Sequence, residues 1–396
     1  MRKEFLDSLR FDNTRYRKIT GECDGSLNWL WTHEEYCKWS TSDSSGLLYI
    51  KGKPGSGKST VTRYFKDRLF EHQPAAKSAT IASFFYSYRE GESQTSHYNM
   101  LRSILYGILS QDASFFYHIQ SEYRKCRIYT STELLYDSLQ KILRGLRNYQ
   151  SNRQLYLIID AVDESTSEDR RKILELLFDV CSASDCIVKI FVASRPVVEL
   201  EHLTKVRNET ACSVIQMQDV NRVDIGLFVH AFLSKLDLPR DISSDIMEYV
   251  LENAQGVFLW VRLVGDRLVE FAEGGFKTME IFEFLKSLPT ELEDMYAFIL
   301  NELRENEEDY SVGKEMYTWV LYARRPLKVV EFQHALAIQD CASDSCTSFT
   351  ESLIVNFDRR ITKCGRNLLE TKGHEGMFHR TYVAINLTAI QNPSCK

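Results

Sequence analysis

Nine consecutive residues, Gly52-Lys53-Pro54-Gly55-Ser56-Gly57-Lys58-Ser59-Thr60, carry the plainest chemistry in this chain of 396 residues. Gly52, Gly57, Lys58 and Ser59 fit the spacing G-x-x-x-x-G-K-[ST], in which a glycine-rich loop turns its backbone N–H groups toward phosphate oxygens. An ammonium at Lys58 reaches the β- and γ-phosphates as a point charge, and a hydroxyl at Ser59 ligates Mg²⁺. Pro54, Gly55, Ser56 and Thr60 complete the wrap around a polyphosphate. Four fixed positions of this kind arise by chance in a chain this long only about once in a hundred.

A phosphate loop needs a carboxylate on a neighbouring strand to steady its metal ion. Leu155-Tyr156-Leu157-Ile158-Ile159-Asp160 supplies one, an apolar run ending in an acid. Asp160 is therefore the expected Mg²⁺ residue. Asp163 and Glu164 follow it and are both candidates to position an attacking water, although Glu164 has the alternative of a simple helix cap. A third strand-like run, Ile190-Phe191-Val192-Ala193-Ser194, ends in Arg195-Pro196. A guanidinium there is placed to report the presence of a γ-phosphate.

These groups must be held by a scaffold, and the pattern around them is regular. Short apolar runs at Leu47–Ile50, Ala79–Phe85, Leu155–Ile159 and Ile187–Ala193 alternate with longer helical stretches. Nearly continuous apolar strands between helices imply a parallel sheet with helices on both faces. A helix is expected from Thr60 to about Phe70, and another over Ser165–Ser182 with Ser165 and Glu168 as its capping box. The chain divides into a helical, aromatic-rich segment (1–45), an α/β nucleotide-binding domain (46–205), a helical domain (206–285) and a last domain (286–396). No internal repeat of 20–50 residues is present.

Composition narrows the function classes. A net charge of −6 argues against a dedicated nucleic-acid surface. No run approaches the roughly 20 apolar residues that span a bilayer; Gly256–Phe271 comes closest and is broken by Arg262, Asp266 and Arg267. The start, MRKEFLDSLRFDN, lacks the apolar stretch of a secretory signal, so a reducing, cytoplasmic setting is expected for the ten cysteines. Cys181/Cys186 and Cys341/Cys346 have no matching ligand pairs for zinc. A small-molecule kinase would need an Arg-rich lid after the loop, and none is visible.

The phosphate loop, Asp160-Ala161-Val162-Asp163-Glu164 and Ser194-Arg195-Pro196, in this order, resemble the NACHT class of signal-transducing NTPases, and within it the fungal NLR-like proteins with a nephrocystin-3-like N-terminal domain. Further stretches carry the likeness: Ser8-Leu9-Arg10-Phe11, Asn28-Trp29-Leu30, Met100–Leu109, Asn221 with Asp224-Ile225, Gly256–Trp260, Leu288–Tyr296 and Arg324–Phe332. It runs from about residue 4 to about residue 380.

The resemblance implies a P-loop α/β domain followed by a small helical domain and a winged-helix-like domain. It also implies an ATP/ADP switch with Mg²⁺ and slow hydrolysis, closed with ADP and opened by ATP for self-assembly or for association with NLR-like partner chains. ATP rather than GTP is likewise inherited from it. His379, in Phe378-His379-Arg380-Thr381, matches a histidine expected to donate to the β-phosphate.

Three departures stand out. Ala161 occupies the place where fast relatives carry a catalytic glutamate. Gly256-Val257-Phe258 replaces a Gly-x-Pro that touches adenine. The residues from Tyr382 onward leave the family pattern. Effector and repeat regions usual in the family are not in the sequence, which reads as a core without its sensor. The alternative function is a hydrolysis-deficient scaffold that binds nucleotide and associates with full-length relatives.

Overall fold

The computed structural model describes residues 1–396 except 129–135, 152, 183–184, 207–211, 237, 274, 276, 305, 326, 341–348, 350, 367, 373–381 and 386–396. Two compact units divide at Phe228/Val229.

The first unit opens with four short helices, α1 (Arg2–Leu9), α2 (Thr14–Lys18), α3 (Trp29–Thr32) and α4 (Glu34–Thr41). An alternation of strands and helices follows: β1 (Gly46–Lys51), α5 (Lys58–His72), β2 (Thr80–Phe85), α6 (Glu92–Thr95), α7 (His97–Gln111), α8 (Ala113–Ile128), α9 (Tyr136–Arg144), β3 (Leu155–Asp160), α10 (Arg170–Ser182), β4 (Val188–Ser194), α11 (Val198–Val206), β5 (Cys212–Gln216), α12 (Met217–Val220) and the start of α13 (Arg222–Leu233), which runs across the boundary into the second unit. The five strands form one parallel sheet in the order β2-β3-β4-β1-β5.

Period-2 alternation splits the strand residues between two cores. Leu47 and Tyr49 of β1 join Leu157, Ile159, Ile190 and Val192 on the face packed by α7 to α10. Leu48 and Ile50 join Tyr156, Ile158, Phe191 and the α5 residues Val61, Phe65 and Leu69 on the other. Stacking of Phe65 on Phe191, with centroids 4.4 Å apart, fixes α5 beneath the sheet. The opposite end of the sheet is tied to α4 by Lys189, fully buried in β4. Its Nζ donates to the carbonyls of Trp39, Ser42 and Ser44 at 2.6, 2.7 and 2.9 Å, so every ammonium proton has an acceptor.

Two local expectations change. Cys212–Gln216 lies in a stretch that reads as mostly helical, yet it pairs with β1 as an edge strand. It is short and only Ile215 is fully covered, so it lacks the apolar run that marks its neighbours. The helix expected from Ser165 begins instead at Arg170. Ser165 Oγ donates to the Val162 carbonyl and accepts from Arg170 Nε, closing a turn instead of a capping box with Glu168.

The second unit is helical: α14 (Arg240–Asn253), α15 (Phe258–Glu273), α16 (Thr278–Ser287), α17 (Leu292–Arg304), α18 (Glu307–Tyr322), α19 (Val329–Asp340) and α20 (Phe357–Cys364). A small antiparallel sheet of β6 (Leu327–Lys328), β8 (Tyr382–Ile385) and β7 (Leu369–Lys372), in that order, accompanies them. α15 covers most of the Gly256–Phe271 stretch, and Arg267 within it pairs with Glu270 and Glu302. Among the described residues no helix is long and apolar enough to cross a membrane.

Candidate nucleotide site

Parallel pairing brings the carboxyl ends of β1, β3 and β4 to one edge. Ile50 lies opposite Ala193, Lys51 opposite Ser194, and Asp160 opposite Ala193 on one side and Phe85 on the other. Open α/β sheets bind ligands at this edge, in the crevice beyond the strand ends.

The loop between β1 and α5 occupies it. Pro54 and Gly55 form the outer turn, and Gly57, at φ +90°, makes the left-handed step into α5. A side chain there would meet the steric penalty that glycine escapes. Gly52 answers to crowding: a Cβ would stand 2.6 Å from Ser56 Oγ and 2.8 Å from Met217 Cβ. Ser56 is 1% exposed, and among the described residues its hydroxyl has no hydrogen-bond partner. Its carbonyl accepts from Asn221 Nδ2 at 3.4 Å. Asp224, one turn further on, accepts from Leu27 N–H at 3.0 Å and Trp29 Nε1 at 2.8 Å. Asn221 and Asp224 thereby join the phosphate loop and the segment before it to the start of α13.

Lys58, Ser59 and Thr60 form the first turn of α5, where unpaired N–H groups and the helix dipole favour an anion. Lys58 Nζ donates to the carbonyls of Gly52 and Lys53, both at 2.8 Å. Burial pushes its pKa down to about 8; Arg195 adds to that effect, while Asp163, Asp160 and Glu164 oppose it. The four named partners are the other candidates of the sequence, so their charges converge on this ammonium.

Asp160 is 1% exposed. Its Oδ1 accepts from Thr62 Oγ1 at 3.2 Å, and the same hydroxyl lies 2.9 Å from the Lys58 carbonyl. Burial pushes the carboxyl up to about 6, against the lowering effect of the Ser59 hydroxyl, Arg15 and Thr62. Among the described residues its Oδ2 is buried with no hydrogen bond of ordinary geometry, the Ser59 hydroxyl being its near neighbour, an arrangement costly to leave unmade. A hard cation beside Ser59 would satisfy that oxygen, and the donor set of one hydroxyl and one carboxylate suits Mg²⁺ completed by phosphates and water. Among the described residues no cluster of three or more His, Cys, Asp or Glu could cage a metal.

Asp163 and Arg195 meet each other. Asp163 Oδ1 accepts from Ser194 Oγ at 3.1 Å and from the Arg195 N–H at 3.0 Å, and Oδ2 lies 3.1 Å from Arg195 Nε. The turn that permits this begins at Ala161, a non-glycine residue held at φ +56°. The Arg195 carbonyl also accepts from Tyr49 OH at 3.0 Å. Glu164 Oε2 accepts from the Tyr88 N–H at 3.0 Å, so its partner is the turn after β2 instead of the N-terminus of α10. His379 lies outside the described residues, as do Cys341 and Cys346; Cys181 and Cys186 are buried free thiols.

Two participants escaped sequence reasoning. Thr62 had a signal, since it stands one helical turn beyond Lys58 and shares its face. Arg15 had none, because nothing in its spacing connects it to a strand end over a hundred residues away.

Residues 25–195 match the family model described as "Nephrocystin 3, N-terminal". "Vegetative incompatibility protein HET-E-1" of Podospora anserina is 26% identical over 364 residues, which is 87% of this chain and 26% of that protein. The chain thus spans about a quarter of that relative's length. Among solved structures, "Structure of Drosophila ORC bound to DNA" superposes with a TM-score of 0.38 at 11% identity, covering 98% of this chain and 89% of that one. Cdc6p from Pyrobaculum aerophilum gives a TM-score of 0.37 at 12% identity, covering 95% and 94%. Likeness that loose says nothing of what this chain binds. Family match and relative agree with the order of motifs along the sheet edge: over residues 25–195 the chain is similar to the nephrocystin 3 N-terminal family, and over most of its length to a fungal protein of the NACHT-like NLR type.

Proposed function

We propose that this chain is an ATP/ADP-dependent switch of the NLR-like signalling class, in which Mg²⁺-dependent hydrolysis is slow and the bound nucleotide controls opening and self-assembly. One observation carries the reading: beside a complete phosphate loop, the carboxylates that would activate water are already engaged. Asp163 is held by Ser194 and Arg195, and Glu164 Oε2 by the Tyr88 N–H. Ala161 leaves no acid directly after Asp160. A site that binds a triphosphate well and cleaves it slowly keeps two long-lived states, which a switch needs.

In this reading the Gly52–Thr60 loop, with Pro54, Gly55, Ser56 and Gly57 at its centre, binds the phosphates. Lys58 turns its ammonium from the Gly52 and Lys53 carbonyls to phosphate oxygens. Ser59 and Asp160 hold Mg²⁺, which when bound neutralises charge on the β- and γ-phosphates. Asp163 positions Arg195, and His379 donates to the β-phosphate of the diphosphate form. Lys58, Asp160 and the α5 N-terminus support the phosphate assignment; adenine as the base, like the partner chains, comes from the family resemblance. HET-E-1 is named for vegetative incompatibility; the signalling class proposed for this chain comes from the family resemblance.

Single-turnover hydrolysis tests the proposal. A rate far below the ~10 s⁻¹ of a median enzyme, with tight binding of both nucleotides, is the expected result. Turnover near ~10 s⁻¹ would remove the switch. Binding with no hydrolysis at all would favour the second reading, a scaffold that associates with full-length relatives, which the engagement of Asp163 and Glu164 also supports.

A further inference from the structure

Most cations around the strand tips already have partners. Lys58 donates to two loop carbonyls, Arg195 pairs with Asp163, Lys18 with Glu90, and Arg63 with Asp67 and the Ile19 carbonyl. Arg15 differs. Among the described residues its guanidinium has no hydrogen-bond or ion-pair partner, and its Nε is shielded from solvent as well.

The helix that carries Arg15 is too short to be stable alone, so contacts must fix it. Tyr16 supplies them. Its hydroxyl bonds Asp67 on α5, its ring lies against Phe85 with centroids 5.2 Å apart, and Lys66 Nζ stands 3.6 Å over the ring. Lys18 adds the ion pair to Glu90 beyond β2. These staples hold α2 between the phosphate-loop helix and the end of β2. Phe85 is the register partner of Asp160, so α2 stands over the metal-facing carboxylate.

We propose that Arg15 contacts the terminal phosphate of a bound triphosphate, so that the N-terminal segment, and not the arginine after β4, distinguishes triphosphate from diphosphate. Three features fit. The helix is anchored by Tyr16 and Lys18, and among the described residues the guanidinium of Arg15 is uncommitted. A planar guanidinium matches phosphate geometry better than an ammonium does. Arg195, by contrast, would have to break its bond to Asp163 before reaching any ligand. A residue on α2 would couple the nucleotide state to the N-terminal helices, because movement of Arg15 must pull on Tyr16 and Lys18.

The inference rests on the nucleotide-binding reading, and one experiment separates their failures. Dissociation constants for ADP and for a non-hydrolysable ATP analogue are measured with Mg²⁺ on wild type, Arg15→Ala, Arg15→Lys and Lys58→Ala. Arg15→Ala is expected to lose roughly tenfold to a hundredfold in analogue affinity, the range of one charge-assisted bond, while ADP affinity stays within about twofold. Arg15→Lys should recover part of the loss, and Lys58→Ala should lose both ligands. An Arg15→Ala protein with the wild-type ratio of the two constants overturns the assignment alone. So does one that loses both ligands equally while Arg15→Lys restores nothing. Wild type that binds neither nucleotide overturns the nucleotide-binding reading and this inference with it.

Discussion

A buried carboxylate with one oxygen lacking a hydrogen bond of ordinary geometry destabilises the fold that carries it, and Asp160 is such a group. Burial pushes it up to about 6, above the ~3.9 of an unfolded aspartate. The folded chain therefore holds this proton more tightly than the unfolded chain does. Its contribution to stability falls as pH rises from about 4 to about 6, and the full penalty stands above that window. An asparagine in its place would accept the Thr62 hydrogen bond without the charge. Asp160→Asn should accordingly raise the melting temperature of the nucleotide-free protein at pH 7.5 by a few degrees and by less at pH 4.5, while Mg²⁺-dependent triphosphate binding weakens. Thermal unfolding at the two pH values checks this, and a drop in stability at pH 7.5 would show that Asp160 is satisfied some other way. Such a residue was legible because chemistry fixes its place at a strand end. Arg15 was not, since sequence spacing says nothing of which distant helix folds over that end.

Among elements, the join between the ends of β3 and β4 matters most. The sequence nominated Asp163 for water and Arg195 for phosphate, and each is plausible while the two are considered apart. Side by side they become an ion pair supported by Ser194 and by two backbone N–H groups, with Asp163 N–H also donating to Ser194 Oγ at 3.2 Å. If this pair is a clamp, Asp163→Ala and Arg195→Ala should each destabilise the protein, and the double variant should cost less than their sum. The coupling expected for contacting residues is about 0.5–3 kcal/mol. Denaturant unfolding of the four proteins gives it directly, and additivity within a few tenths would dissolve the clamp. Arg195→Ala should also leave the ratio of analogue to ADP affinity unchanged.

Strands β1 to β4 could be read from their apolar runs, because burial on both faces demands such runs. β5 and the late start of α10 could not. In Cys212–Gln216 only Ile215 is fully covered, so the strand carries no apolar run, and Arg170 competes with the expected cap for the Ser165 hydroxyl.

For the whole molecule, the switch proposal requires that the two nucleotides favour different conformations, since a ligand that binds both states equally shifts nothing. The first unit carries the loop, Asp160 and Arg15, and the second carries α14 to α20. Its winged-helix character and the role of His379 rest on the resemblance and come from the part of the chain with the weakest sequence pattern. The testable consequence is in assembly. Protein loaded with a non-hydrolysable ATP analogue and Mg²⁺ should form larger species in light scattering after chromatography, and protein loaded with ADP should remain small. Lys58→Ala should remain small with either ligand because it cannot retain the phosphates. Arg15→Ala should shift the analogue-loaded profile toward the ADP-loaded one at ligand concentrations that saturate both proteins. That last comparison separates weak binding from failed signalling. At saturation both proteins hold the analogue, so a remaining difference in assembly has to come from how the N-terminal helices respond to the terminal phosphate. Identical profiles at saturation would confine Arg15 to affinity and leave the opening of the molecule to other contacts.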